Sequence, residues 1–389
     1  MGNCYVLTNE SRCYAALEGQ YGVASLPQAS GRLPYLGLKV VQEWDRPERR
    51  DKTGTRTFLG YPKGVRKETT FELACYLSGW LAGGGEPPYG AVLQAALGGS
   101  TLSYYGGVVA KVEGRLVTFA SEHGLRVGQA VAIRNDVRFV VGIVDETRVL
   151  LNAPLTAELT SGEPADVAIT FTLGRGLPSL TLYEYWPEEG LDRVVRGAVI
   201  DELTLTINAD YHQFTVRGVA QDSTDRYNFD TGWGGLSAFP PEPLENNVTF
   251  ALVGGNLGQA WLGATPEQFY TLTEAEVRLL NHVRPRSREF GWDVPRCIVP
   301  GHREVRVSFS LLVMPNQTTY RLGAMARLGE PVSVFLQLGD RPGQRCGVYL
   351  PAVVPELPRY DERGPELEWR FVNCRAQGWA DDELFIALA

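Results

Sequence analysis

The sequence has no Cys-x-x-Cys pair, no clustered histidines and no apolar run long enough to cross a bilayer. Its six cysteines (Cys4, Cys13, Cys75, Cys297, Cys346, Cys374) lie far apart. That spacing fits neither a zinc site nor a dense disulfide framework, so they are read as free thiols of a reducing compartment. The four histidines (His123, His212, His282, His302) stand neither at helical spacing from one another nor beside a cysteine. A metal needs three or four convergent ligands, and none is expected. No stretch reaches the roughly 18 to 20 apolar residues of a membrane span. The start, Met1-Gly2-Asn3-Cys4-Tyr5, has no basic segment followed by an apolar one, so neither a membrane anchor nor a signal peptide is expected. Val6 stands where N-myristoylation would need Ser or Thr. Without a secretory route, the glycosylation patterns at Asn247-Val248-Thr249 and Asn316-Gln317-Thr318 carry no meaning.

Catalytic signatures are missing as well. Neither Gly-x-Ser-x-Gly nor Gly-x-x-x-x-Gly-Lys-Ser/Thr occurs. Gly254-Gly255-Asn256-Leu257-Gly258 lacks the phosphate-binding lysine and reads as turn glycines. Carboxylates sit side by side at Asp201-Glu202, Glu188-Glu189 and Asp381-Asp382-Glu383. Neighbours on a strand point to opposite faces, so such pairs do not converge by themselves on a glycosidic bond. No enzymatic activity and no cofactor is expected. The formal net charge of −8 opposes tight binding to a phosphate backbone.

What the chain does have is 43 glycines and 24 prolines beside 8 Trp, 17 Tyr and 15 Phe, a mixture that favours many short strands joined by tight turns. With 389 residues, 44% hydrophobic and 21% charged, it is a folded, mainly β protein of two or three domains.

It also repeats itself. At an offset of 238, the difference between 284 and 46, Arg46, Pro47, Arg50, Pro62, Phe71 and Leu73 match Arg284, Pro285, Arg288, Pro300, Phe309 and Leu311. In both copies a strand-like run (Glu68 to Leu77, Glu304 to Val313) precedes a short helical pattern (Tyr89 to Leu97, Thr318 to Leu328) that stops at Gly98 or Gly329. Ala198-Val199-Ile200-Asp201-Glu202-Leu203 then matches Ala352-Val353-Val354-Pro355-Glu356-Leu357 at an offset of 154, the difference between 352 and 198. The drop from 238 to 154 requires an insertion of about 84 residues in the first copy. Alternating runs between Tyr104 and Leu173 supply it and predict a small antiparallel barrel or meander. The expected division is 1–103 with 174–221 for the first β-sandwich or barrel domain and 104–173 for the insertion. A Gly- and Pro-rich connection follows at 222–264, and 265–389 forms the second domain.

Two long charged stretches, Trp44 to Lys67 and His282 to Val305, interrupt the strands at matching places. Loops of some 20 structureless residues are uncommon in compact domains and are usually functional. Here aromatics stand among the charges: Trp44, Arg46, Arg49, Arg50, Arg56, Phe58 and Tyr61 in the first arm, Arg284, Arg286, Arg288, Phe290 and Trp292 in the second. Aromatics and Arg are enriched in interface cores, so these arms are candidate subunit contacts.

The opening Gly19-Gln20-Tyr21-Gly22-Val23-Ala24, the charged arm, the strand Lys67 to Leu77 leading into Leu93-x-x-x-Leu97-Gly98, and the closing Ala376-Gln377-Gly378-Trp379-Ala380-Asp381-Asp382-Glu383-Leu384 together resemble the tail tube proteins of phages with long, non-contractile tails. The resemblance runs over nearly the whole chain and implies a β-sandwich tube domain with a flanking helix. In that family the inner strands close across subunits around a channel, usually with six domains to a ring. Two tandem domains then imply a trimeric, pseudo-sixfold ring, stacked into a tube through which double-stranded DNA passes without specific binding. The resemblance further implies a tape measure protein and tail-tip and terminator proteins as partners, and a place in the virion after assembly in the host cytoplasm. Two rival readings remain: a distal tail or baseplate hub protein that forms a single ring, and a β-sandwich carbohydrate-binding or hydrolase module.

Overall fold

The computed structural model describes residues 6–47, 51–58, 60–61, 64–79, 87–157, 162–187, 191–243 and 251–389. The chain is mainly β. Its first half runs β1 (Arg12–Leu17), β2 (Tyr35–Asp45), β3 (Arg66–Tyr76), α1 (Gly90–Leu97) and β4 (Gly98–Tyr104). The insertion holds β5 (Gly107–Glu113), β6 (Leu116–Phe119), β7 (Ala130–Ile133), β8 (Asp136–Ile143), β9 (Arg148–Leu151) and β10 (Glu163–Asp166). The first half resumes with β11 (Ala168–Leu173), β12 (Leu180–Tyr185), β13 (Arg193–Ile207), β14 (Gln213–Ala220) and β15 (Asp222–Asp225). The second half has β16 (Gly258–Gly263), β17 (Glu267–Gln268), β18 (Leu272–Leu280), β19 (Arg284–Pro285), β20 (Ile298–Val299), β21 (Glu304–Leu312) and α2 (Gln317–Leu328). It ends with β22 (Val332–Leu338), β23 (Cys346–Val354), β24 (Arg359–Asp361), β25 (Glu368–Ala376) and β26 (Phe385–Leu388).

The two halves pair their strands in one order. In the first it is β1-β12-β13-β14-β3-β2, every neighbour antiparallel. In the second it is β16-β22-β23-β25-β21-β18. Bulges recur at matching places, and an extra residue re-aims the side chains on either side of it. Leu36 is the extra residue of β2, between the pairs Tyr35↔Cys75 and Gly37↔Ala74, and Thr273 holds the same place in β18. A second bulge spans Arg196–Gly197 in β13 and Pro351–Ala352 in β23. These landmarks refine the repeat: Leu36 matches Thr273 at 237 residues, and Ala198 matches Val353 at 155. The sequence offset of 238 is one residue out at β2 and β18 and two out at β3 and β21, where Ala74 matches Ser310, and the offset of 154 is one residue out at β13 and β23. A one-residue slip turns a strand over, and at 155 Val195 and Ala198 fall on Leu350 and Val353, all four in the main core.

Both helices stand where their glycine stops place them. Gly98 (φ 78°) and Gly329 (φ 67°) take the left-handed cap that a side chain would strain. Asn316 opens α2, its side chain accepting from the Thr319 amide at 2.9 Å. The helices differ in setting: α1 buries Val92, Leu93, Ala95, Ala96 and Leu97, whereas α2 exposes Tyr320 and Leu328.

The insertion is a closed six-stranded barrel, β10-β5-β6-β9-β8-β7, carried on the paired strands β4 and β11. Val109, Val117, Phe119, Val140 and Leu151 fill it. The barrel also docks on the second half, with Phe139 stacked on Tyr349 (5.3 Å between ring centres) and edge-on to Phe335. Arg138 is wholly buried in this contact. It donates to the Gln337 and Gln259 side chains (2.9 and 2.8 Å) and to Asp136 (3.0 Å). Burial nonetheless lowers its pKa to about 10.

The stretch 222–264, expected as a connection, contains β15 and β16. β16 pairs with β22 along its whole length, so the second half begins before residue 265. Its flanking Gly258 and Gly263 read as turn punctuation in the sequence, yet they bound a short buried strand.

Candidate assembly surface

Among the described residues no three His, Cys, Asp or Glu side chains gather as metal ligands. His123 is buried, with Nδ1 accepting from the Leu125 amide. His212 is also buried, which lowers its pKa to about 4. His282 lies 3.7 Å from Glu304, and His302 is exposed. Glu202 pairs with Arg278 at 3.1 Å, and Asp381 with Arg303 at 3.0 Å. Asp382 accepts from the Trp379 amide, while Glu188 and Glu189 lie outside the described residues. Gly255 donates to the Asp210 carbonyl, tying two turns together. Burial pushes the thiols of Cys346 and Cys374 up to about 12 and 11, which keeps them protonated and unreactive.

The halves meet edge to edge. The second part of β13 pairs with β18, from Glu202↔Leu280 to Ile207↔Ala275. At the end of this ladder Asn281 is buried, and its side-chain amide donates to the carbonyls of Ala96 and Ile200, both at 3.0 Å. Asp201 accepts from the Val283 amide at 2.7 Å, which turns the chain into the second arm. The arm then lies on the first half. The Lys67 amide donates to the Asp293 carbonyl at 2.7 Å, and the buried Gln221 side chain donates to the Pro295 carbonyl at 2.9 Å. Cys297, Ile298 and Pro300 border a cavity beside Glu18 to Tyr21. The sequence had singled out Ile200, Asp201, Cys297 and Pro300, though for other reasons, and had not marked Asn281, Gln221 or Pro295. The partners of Asn281 are 185 and 81 residues away in the chain, so no local pattern marks it.

The candidate arm residues fall into two settings. In the second arm, Arg284 pairs with Val299 in the two-residue ladder β19–β20, which the Arg286 amide extends by donating to the Cys297 carbonyl. Arg286 lies 3.6 Å from Glu289, and Arg288 4.0 Å from Asp45. Arg296 stacks 4.8 Å over the Trp292 ring, and Phe290 is wholly exposed. In the first arm, Trp44 stands one residue before the end of β2, with the Lys67 ammonium 5.9 Å from its ring. Arg46 lies over Tyr61, Phe58 meets Tyr61 edge-on at 5.0 Å, and Arg56 is exposed. Arg49 and Arg50 lie outside the described residues. None of the described residues from Arg46 to Val65 is buried, whereas Val294 and Pro295 of the second arm are.

Among the described residues β2 and β24 each keep an open edge, as β4 and β15 also do. β2 pairs with β3 alone, although its counterpart β18 is flanked on both sides. β23 and β24 pair with β25 in one register, Val353↔Ala376 and Arg359↔Arg370. With the intervening Pro355 to Pro358 they form the counterpart of the long β13. The stretch matching the β18-bearing part of β13 has no second neighbour, and Leu357 and Tyr360 are exposed on it. Hydrogen bonds from Arg363 hold the Asp361 carboxyl well below the usual range, and Arg363 and Arg370 pair with it at this edge. No protein-family model matches the chain, and no match to it was found among the curated proteins.

Proposed function

We propose that this chain is a structural virion protein, the subunit of a long non-contractile phage tail tube, which polymerises into stacked rings around a channel for DNA. One observation carries the reading. The halves share a strand order and are joined through β13 and β18, while the same two kinds of edge, β2 and β24, stand unused at the outer sides. A head-to-tail contact that uses one edge of each kind closes into a ring when its rotation closes. Open strand edges of this length otherwise template aggregation, and a ring removes them. Three chains would place six sheets in the ring, with the inserted barrels outside it, since a barrel pointing inward would block the channel. An acidic chain of net charge −8 suits a lumen through which DNA must slide. Tape measure, tail-tip and terminator proteins are the partners this role requires.

Electron microscopy of the purified protein tests the reading: tubes support it, isolated rings favour a distal hub protein, and monomers at all concentrations overturn it. Tyr360→Asp adds a charge to an exposed open-edge position and is expected to abolish assembly while leaving the monomer folded by circular dichroism.

A further inference from the structure

Gln221 and Gln377 occupy one position in the two halves. The Gln221 amide donates to the Arg196 carbonyl (3.0 Å) and the Gln377 amide to the Ala352 carbonyl (2.9 Å), each where the chain leaves its strand opposite the bulge of the neighbouring one. Their surroundings differ. Gln221 is buried: Pro295 of the second arm covers it on one side, and Gly22 and Gly197 of the first half pack against its side chain. Gln377 is exposed, and two residues on stands Trp379, wholly exposed. That indole is not on a loose loop: the Asp382 carboxylate accepts from the amides of both Trp379 and Ala380 (2.8 and 3.2 Å) and fixes the turn. A large apolar side chain on a fixed turn is typical of an interface anchor before its partner arrives.

We infer that the first arm of one chain seats on the Gln377–Trp379 surface of the next chain in the same ring, as the second arm seats on Gln221 within the chain. This rests on the ring reading and names the contact that the ring makes. The first arm follows β2 as the second follows β18, so a β2 edge paired to the neighbour's β24 delivers the arm to this surface. It brings the apolar pair Phe58 and Tyr61, both exposed. Charge favours the match. By sequence the first part of the arm has five cations (Arg46, Arg49, Arg50, Lys52, Arg56) against Glu48 and Asp51. The receiving turn has Asp381, Asp382 and Glu383 against Arg303 and Arg175, which leaves it one negative charge. Ordering such an arm costs about 1 to 2 kcal/mol per residue in backbone entropy. The internal seat shows how that cost is offset: two buried residues and two hydrogen bonds hold the second arm at its centre.

The test uses the full chain with Thr57→Cys and Gln377→Cys, both at exposed positions, and a short bismaleimide added to the assembled protein. Denaturing gels are expected to show bands of two and three linked chains and nothing larger. The pair Lys67→Cys and Asp293→Cys, which face each other across the seated second arm, serves as control and should link within one chain, so that its band stays at the single-chain position. If microscopy shows rings or tubes and the first pair stays monomeric, the arm inference falls while the ring reading stands. A ladder running past three chains also overturns it, because the arm then reaches an adjacent ring. If the unmodified chain forms no rings, the ring reading falls and the inference with it.

Discussion

The two arms leave matching strands and carry similar residues, yet one is folded down and the other has no buried residue among those described. The second arm forms a small ribbon and buries Val294 and Pro295 against the first half, while the first arm is exposed from Arg46 to Phe58 wherever it is described. Composition does not explain the contrast. What differs is that the second arm has a preceding sheet within its own chain to lie on and the first has none. Long charged segments have no folded state of their own, because ordering them costs more than their internal contacts return.

The largest test of this contrast is at the root of the arms. Asn281→Ala is expected to leave the buried Ala96 and Ile200 carbonyls without their donor and to cost about 3 kcal/mol in urea unfolding, at about 1 to 3 kcal/mol for each unpaired group. Trp44→Ala, at the matching root of the first arm, is expected to change monomer stability by less than about 0.5 kcal/mol, as surface substitutions do. Equal losses at the two sites would mean that both arms are already seated.

A second test uses pH. His212 lies in the β13–β14 turn and borders a cavity with Ile207, Leu272 and Leu336 at the junction of the halves. Its folded pKa of about 4 is below the ordinary 6.5, so between these values the unfolded chain binds the proton more tightly. Its neutral form therefore contributes stability that is complete above pH 6.5 and is lost as the pH falls toward 4. The loss is expected to be about 2 to 3 kcal/mol, since a tenfold difference in proton affinity between the folded and unfolded chains is worth about 1.4 kcal/mol. Melting curves of His212→Gln should lack that share of the acid step, and an unchanged acid step would remove the histidine from the joint. The smallest effect is expected from Arg288→Ala. Its contact with Asp45 spans 4.0 Å at an exposed site, and such a pair contributes less than about 1 kcal/mol. A larger loss of monomer stability would show that this cation helps hold the second arm down.

Much of the architecture was legible in the sequence for local reasons. Gly98 and Gly329 marked the helix ends, and turn residues between alternating runs marked the inserted barrel. The repeat itself was visible, but its register was not, because Leu36, Thr273 and the pair Arg196–Gly197 are bulge residues that shift the alignment without changing composition. β16 was missed because glycines bound it. The length of β13 was hidden by Gly197 and by the acids Asp201 and Glu202, which break its alternation. The arms were found as segments, since density of charge and aromatics is a local property. The seat was not, because Gln221 and Pro295 are 74 residues apart and acquire a role only when the sheet brings them together.

The inserted barrel bears on mechanics. It stands on strands of the first half, its Phe139 face is pressed into the second, and β11 pairs directly with β26. The halves are thus tied by four separate contacts: the β13–β18 ladder, the β11–β26 ladder, the barrel and the second arm on the first half. A body joined along one line can flap, whereas a braced frame bends only if more than one brace yields. The angle between the repeats is therefore set within the single chain, and in the proposed ring each joining step would lose less conformational freedom than a hinged pair would.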